Sequence, residues 1–145
     1  LPVLRRNRFM TGDYNEEFGV KDVTWLAPDA VEMTAEHWSD PQTRCFGMLL
    51  EGKAQVSAIP RAGTDASVLL VFNAWHEAID CTLPERKDGS TWTRMFDTAL
   101  EHQEVHDFDP GDTYKATGRS VLGFVAAGAG QSADWLHELT VALPD

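Results

Sequence analysis

The sequence LLVFNAWHEAIDCTLP, residues 69–84, joins two apolar segments through a short polar corner. Residues 67–72 are uncharged and rich in aliphatic and β-branched side chains, which is typical of a strand buried on both faces. Residues 78–83 show the period-two alternation of a strand with one solvent-exposed face. Two such strands around a tight corner, with Pro84 ending the second, predict an antiparallel β-hairpin.

Short strands are also predicted on both sides of this hairpin, separated by turn signals about eight to twelve residues apart. They cover residues 20–26, 31–33, 45–50, 91–97, 113–117 and 120–127. Helices are predicted only at the edges, as the tail of a helix at residues 1–10 and as short helices at residues 34–38 and 133–142. Residues 99–106 form either a short helix or an irregular loop. This arrangement predicts an all-β fold, an antiparallel sandwich or barrel with short peripheral helices.

The size and charge of the chain exclude several classes of partner. Its 145 residues, 43% of them hydrophobic, are enough for one domain with a packed core. The 12 basic and 23 acidic side chains give a net charge of −11, and a field of that sign repels phosphate backbones and anionic lipids. The longest apolar runs have only the length of strands, so no spanning segment or signal peptide is predicted. We therefore expect no nucleic-acid partner and no membrane partner.

The two cysteines, Cys45 and Cys81, both lie in apolar segments with strand character. This position favours buried, reduced thiols, as in a cytoplasmic protein. A single disulfide between them is the alternative, although nothing in the sequence requires it.

The sequence contains no pattern that predicts a metal site, a cofactor or a catalytic group. His102 and His106 are four residues apart, but the order of residues between them is not that of a zinc protease. The acidic turn at residues 107–112 lacks the full ligand spacing of a calcium loop. Glycoside hydrolysis needs two carboxyl groups, and no acidic residue lies in an apolar setting that would suit acid catalysis. We therefore predict no catalytic residue, no metal and no cofactor.

The tryptophans are the remaining candidates for a binding role. Sugar-binding surfaces use exposed aromatic faces, on which the C–H faces of a pyranose ring stack. Trp75, with His76 beside it at the polar corner, is the candidate glucan contact, and simple packing at the corner is the alternative. The other tryptophans are interpreted as core or interface residues, namely Trp25, Trp38, Trp92 and Trp135.

Several segments resemble, in order and spacing, the C-terminal β-domain of bacterial glycogen debranching enzymes, which belong to the α-amylase clan near the isoamylases. These segments are LPVLRRNRF (residues 1–9), KDVTWL (21–26), GMLL (47–50), NAWHE (73–77), TLP (82–84) and GRSVL (118–122). The chain departs from the family where Trp75 occupies a position that often carries a second histidine. The tail after Ala127 also has no counterpart in the family.

The resemblance implies an antiparallel β-sandwich of the α-amylase C-terminal type. It assigns residues 1–12 to the end of a helix of the catalytic barrel and residues 13–52 to a connecting segment packed on the sandwich. Residues 53–145 would then form the β-sandwich itself. It further implies a parent enzyme that hydrolyses α-1,6 branch linkages in glycogen or limit dextrin, with its catalytic carboxylates in a barrel that precedes Leu1.

The function expected from this resemblance is that of a non-catalytic domain that stabilises the catalytic barrel, its main partner. An α-glucan is a second expected partner, and a carbohydrate-binding module for α-glucans is the alternative function. A small independent enzyme is a further alternative. The structural role predicts an exposed apolar patch near residues 1–10 and Trp25.

Overall fold

The computed structural model describes residues 10–17, 19–54 and 66–127. These residues form strands β1 (Tyr14–Asn15), β2 (Val20–Lys21), β3 (Val23–Leu26), β4 (Cys45–Glu51), β5 (Ser67–Asn73), β6 (Ile79–Thr82), β7 (Trp92–Asp97), β8 (His106–Phe108), β9 (Thr113–Ala116) and β10 (Ser120–Ala126), together with helix α1 (Ala35–Ser39) and a 3-10 turn (Gly52–Ala54). No helix in this part of the chain is long and apolar enough to cross a membrane.

The strands form two packed layers. One is a six-stranded sheet in the order β3-β4-β5-β10-β7-β8, and the other is the two-stranded sheet β6-β9. Every pairing in both sheets is antiparallel. Strands β1 and β2 pair with each other in a separate two-stranded sheet. The predicted all-β antiparallel sandwich is thereby confirmed. The domain boundary expected at residue 52 falls between β4 and β5, which are neighbours in the large sheet.

The predicted hairpin at residues 67–83 is wrong. Both segments are strands, but β5 pairs with β4 and β10, whereas β6 pairs with β9 in the second layer. The connection at residues 74–78 is longer than the two-residue, glycine-containing turn of a tight hairpin. Both edges of β5 are also already paired along its full length. The corner therefore carries the chain from one layer to the other.

The main core lies between the two layers. It is built from residues of both sheets, namely Leu26, Cys45, Leu69, Val71, Cys81, Leu83, Trp92, Ala116, Leu122, Phe124 and Ala126. Trp92 is completely buried, and its indole N–H donates a hydrogen bond of 2.9 Å to the carbonyl of Pro84. The interpretation of Trp92 as a core residue is confirmed.

A second apolar cluster covers the opposite, outer face of the six-stranded sheet. Its buried members are Val23, Leu50, Ala66, Val68 and Val125, and half-buried Trp25, Met48, Leu70 and Met95 pack against them. Alternate residues of β5 thus contribute to the two clusters, so the prediction that this strand is buried on both faces is confirmed.

The peripheral elements differ in part from expectation. Thr34 caps α1, accepting a hydrogen bond from the backbone N–H of His37, as predicted. Residues 31–33 form only a single bridge, between Leu26 and Glu32, and not a strand. Of the two alternatives for residues 99–106, the irregular loop is observed, and it leads into β8. Of the helix tail predicted at residues 1–10, only Met10 is described, and the helix predicted at residues 133–142 lies outside the described residues.

Candidate functional site

The corner that joins the two layers is held by one buried amide. Asn73, at the end of β5, is only 2% exposed. Its Nδ2 donates to the carbonyl oxygens of Glu77 at 2.9 Å and Ala116 at 3.0 Å, and its Oδ1 accepts the backbone N–H of Trp75 at 3.0 Å. This single side chain therefore closes the corner and attaches it to β9.

Two neighbouring segments fix the corner from outside. The backbone N–H of Arg119 donates to the carbonyl of Trp75 at 2.8 Å, and that of Ala74 donates to the carbonyl of Arg44 at 2.9 Å. Gly118 lies so close that a Cβ atom there would approach the carbonyl oxygen of His76 to 2.3 Å. Any residue other than glycine at position 118 would force the corner to move.

The corner forms one wall of a groove, which we call the corner groove, with a volume of about 450 Å³. Its lining residues come from the segment after β3, α1, the approach to β4 and the corner, namely Ala27, Pro28, Met33, His37, Gln42, Thr43, Arg44, Cys45, Trp75, Glu77, Ala78 and Ile79. Apolar side chains and planar polar groups therefore line the same cavity, a combination common in small-molecule sites.

Trp75 is the half-buried aromatic residue of the corner groove. The guanidinium of Arg44 lies over its indole, 4.5 Å from the ring centroid, as a cation–π pair. The imidazole of His76 lies 4.1 Å away, centroid to centroid, and the indole N–H reaches Glu77 Oε2 at 3.4 Å. The indole is thus held by charged neighbours, and a ring that stacked on the Arg44 side would have to displace the guanidinium.

The structure places the two predicted contacts differently. Trp75 lines the corner groove, whereas His76 does not, and the side chain of His76 is 52% exposed. Sequence reasoning missed Arg44 and Gln42, which lie far from the corner along the chain. The pairing register of β4 and β5, which places Cys45 opposite Asn73, brings Arg44 and Gln42 to the corner. No local sequence pattern predicts that register.

Beneath the corner groove lie the two cysteines. Cys45 and Cys81 are both buried and unbridged, and their Sγ atoms are 3.6 Å apart. The predicted burial of both cysteines is confirmed. The hydrogen bond between them, together with burial, raises the pKa of the Cys81 thiol, while the same hydrogen bond lowers the pKa of Cys45.

A separate ionic cluster lies at the opposite end of β4. Arg86 donates to Glu51 Oε1 at 2.9 Å and to Asp88 Oδ2 at 3.1 Å. Burial opposes ionisation of Asp88, but hydrogen bonds from Ser90 and the charge of Arg86 outweigh it, so the pKa of Asp88 lies below its usual range. Arg86 and Lys53 both pair with Asp88, and Arg86 also pairs with Glu51, so the charges are matched within a structural cluster.

His102 and His106, four residues apart in the sequence, do not share one structural element. His106 begins β8 and its ring packs on Phe108 at 4.7 Å, while His102 lies in the preceding loop. Across residues 10–17, 19–54 and 66–127, no group of three or more His, Cys, Asp or Glu side chains is placed to hold a metal ion.

The family description "Isoamylase, C-terminal" matches residues 22–127, which include both sheets and the corner groove. The chain belongs to this family. The resemblance found in the sequence is confirmed, and the matched region of this isoamylase C-terminal domain runs from the start of β3 to just beyond β10.

Curated relatives align with most of this isoamylase C-terminal domain. A "Glycogen operon protein GlgX homolog" of Mycobacterium bovis is 33% identical over 127 residues, which is 83% of this chain and 17% of the relative. The "Isoamylase" of Pseudomonas amyloderamosa is 24% identical over 131 residues, 83% of this chain and 15% of the relative. "Isoamylase 2, chloroplastic" of Oryza sativa subsp. japonica is 27% identical over 100 residues, 69% of this chain and 12% of the relative. The chain therefore spans about one sixth of the length of the first two relatives.

Proposed function

We propose that this chain is the non-catalytic C-terminal β-domain of a cytoplasmic glycogen debranching enzyme, and that it stabilises the catalytic barrel of the same polypeptide. The parent would hydrolyse α-1,6-glucosidic branch linkages in glycogen or limit dextrin. Family membership and the names of the aligned relatives support this proposal. The observation that carries the stabilising role is an exposed row of aromatic rings on the outer face of the six-stranded sheet.

This aromatic row consists of Trp38, Trp25, Phe46 and Phe72. Ring centroids are 5.7 Å apart between Trp25 and Trp38, 5.9 Å between Trp25 and Phe46, and 5.2 Å between Phe46 and Phe72. Trp38 is 52% exposed, and the other three are half-buried. The row includes Trp25, one part of the apolar patch that the sequence predicted, while residues 1–9 lie outside the described residues.

The chemistry of the aromatic row favours a protein surface over a sugar. Its rings pack against one another, with interplanar angles from 26° to 78°, and do not present separate flat platforms. The adjacent half-buried side chains on this face are apolar, Met48 and Leu70 among them, and offer no hydrogen bonds to hydroxyl groups. Packing such a surface against a second domain stabilises both, since apolar area is removed from water.

The test compares the parent protein with this chain alone. Trp38→Ser is expected to lower the thermal midpoint of the catalytic domain in the full-length parent by several degrees, while the midpoint of the 145-residue chain changes little. Tyr14→Ser, at a position 59% exposed outside the aromatic row, is the matched control. An unchanged midpoint of the parent carrying Trp38→Ser would contradict the proposal.

The corner groove supports a second candidate function, the binding of α-glucans. Trp75 lies in it beside Arg44, Gln42 and Glu77, which provide the planar hydrogen-bonding groups that sugar hydroxyls require. In this proposal Trp75 is the main contact and His76 lies at the rim. The sugar ring would displace the Arg44 guanidinium and stack on the indole of Trp75 in its place.

Isothermal titration of the chain with maltodextrins tests this candidate. We expect a dissociation constant between about micromolar and millimolar, lost in Trp75→Ala and weakened in His76→Ala. Trp38→Ala, on the outer face, serves as the control and should bind as the unmodified chain does. Absence of heat with every glucan tested would exclude a carbohydrate-binding module.

A further inference from the structure

Cys45 and Cys81 lie in different layers of the sandwich. Cys45 begins β4 in the six-stranded sheet, and Cys81 lies in β6, 36 residues further along the chain. The two layers share no strand pairing at this point, because β6 pairs with β9. The 3.6 Å between the two Sγ atoms therefore spans the gap between the layers.

Both cysteines are buried, and both line cavities inside or beside the sandwich. Cys45 lines the corner groove, and both cysteines line a second cavity of about 10 Å³ that also contacts Leu26, Leu69 and Val71. A space of that size holds roughly one water molecule. Of the two cysteines, Cys45 alone lines the corner groove, so it is the one nearer to a small neutral molecule that enters there.

We propose that this pair is a site of reversible oxidation, in which a hydroperoxide converts Cys45 and Cys81 into a disulfide that links the two layers. Cys45 is the attacking residue, since it borders the corner groove, and Cys81 is the resolving residue. The Sγ atoms would have to approach by roughly 1.5 Å to reach the length of an S–S bond, which side-chain rotation and a small backbone shift can supply.

The chemistry balances in two steps. The Cys45 sulfur attacks one peroxide oxygen, the O–O bond breaks, and Cys45 becomes a sulfenic acid while the second oxygen leaves with the thiol proton as water or an alcohol. The Cys81 sulfur then attacks the Cys45 sulfur, the S–O bond breaks, and water leaves with the Cys81 proton. Two thiols lose two electrons in total, and the hydroperoxide gains them.

The surroundings of the sulfur atoms support these roles. The hydrogen bond from Cys81 favours the thiolate form of Cys45, which is the nucleophilic form. The one thiol proton of Cys81 has two acceptors within reach, the Cys45 sulfur at 3.6 Å and the carbonyl of Ile79 at 3.8 Å, so Cys81 stays protonated while Cys45 attacks. Once formed, the disulfide would join the start of β4 to β6, each of which contributes a lining residue to the corner groove, and so fix the separation of the two strands.

Peptide mapping of the complete chain tests the inference. The folded chain is treated with hydrogen peroxide, quenched with catalase, alkylated and digested with trypsin. We expect a linked pair of peptides, residues 45–53 with residues 62–86, and a mass loss of two hydrogen atoms that dithiothreitol reverses. The oxidised chain should melt roughly 5 °C or more above the reduced chain, because the bond closes a long loop in the unfolded state.

Two variants separate the roles of the cysteines. In Cys81→Ala the sulfenic acid at Cys45 should persist and be trapped by dimedone, whereas in Cys45→Ala the Cys81 thiol should stay unmodified by peroxide. Unmodified chain in concentrated urea is the control, with a yield of the linked peptides about tenfold lower because the thiols are no longer adjacent.

Three results would overturn this proposal. Linked peptides that join two chains, equal yields in urea and in buffer, or peroxide modification of Cys81 without Cys45 would each do so. The peptide map of the unmodified chain decides the matter even where a variant does not fold. Neither glucan binding nor docking on a barrel enters this test, so it can fail or succeed independently of the proposed function.

Discussion

The two faces of the six-stranded sheet use the same strands in different ways. On the inner face, completely buried residues such as Trp92 and Phe124 are covered by the chain's own second layer, β6-β9. On the outer face, Trp25 and Phe46 remain half-buried, and Trp38 of the short helix covers them only in part. Apolar area is buried on both faces, but only the outer face also retains half-buried and exposed aromatic area that a neighbouring domain can still bury.

Of the substitutions considered, removal of a tryptophan from the inner face should cause the largest loss in the free energy of unfolding. Trp92→Ala deletes a completely buried side chain together with its hydrogen bond to Pro84, and we expect it to lower the free energy of unfolding by about 3–5 kcal/mol. Urea unfolding followed by fluorescence measures this loss. If Trp92→Ala lowered the free energy of unfolding no more than an outer-face substitution does, the two faces would contribute equally to stability.

The corner that closes the inner face should be the next most sensitive position. In Gly118→Ala the new Cβ would collide with the backbone of His76, and we expect a destabilisation of about 1–3 kcal/mol. Gly47→Ala is the matched control, since its Cβ would meet side chains of Leu26 and Leu69 at ordinary contact distances of 3.4–3.5 Å. The order of the two thermal midpoints tests whether the corner is packed as tightly as the structure indicates.

Acid should weaken the domain through its polar groups and not through either apolar face. The pKa of Asp88 is lowered in the folded state, so its contribution is complete above the ordinary pKa of about 4 and is lost as the pH falls through the folded value. We expect a lower urea midpoint at pH 3 than at pH 7. In Asp88→Asn this difference should shrink, whereas Trp38→Ser should leave it unchanged.

A substitution on the outer face of the isolated chain should cause the smallest change in the free energy of unfolding. Trp38 is 52% exposed, so Trp38→Ser should change the free energy of unfolding by less than about 1 kcal/mol. Equilibrium urea unfolding of the chain provides the value. A loss as large as that of Trp92→Ala would mean that the aromatic row belongs to the core of this domain.

The sequence predicted strands better than it predicted their partners. The uncharged segment of β5 and the alternation of β6 identify both as strands, because each pattern reflects which faces meet water. The partner of β6 is β9, where Cys81 pairs with Tyr114, a contact that no pattern near the corner encodes. The three-residue strand β8 was missed for a related reason, since its pairing with β7 depends on tertiary packing.

The candidate site was predictable only in part. Trp75 stands out in the sequence because a large aromatic side chain in a polar corner is unusual. The positions of Arg44 and Gln42 follow from the register of β4 against β5, and Gly118 reaches the corner only after the turn between β9 and β10 forms. Such long-range contacts depend on the assembled sheets.

Because the corner at residues 74–78 is both the link between the layers and one wall of the groove, sliding of one sheet over the other changes the width of the groove in the same movement. A molecule bound in the corner groove would therefore resist sliding of the two sheets. A mechanical load on the sandwich would in turn change the affinity of the groove for that molecule.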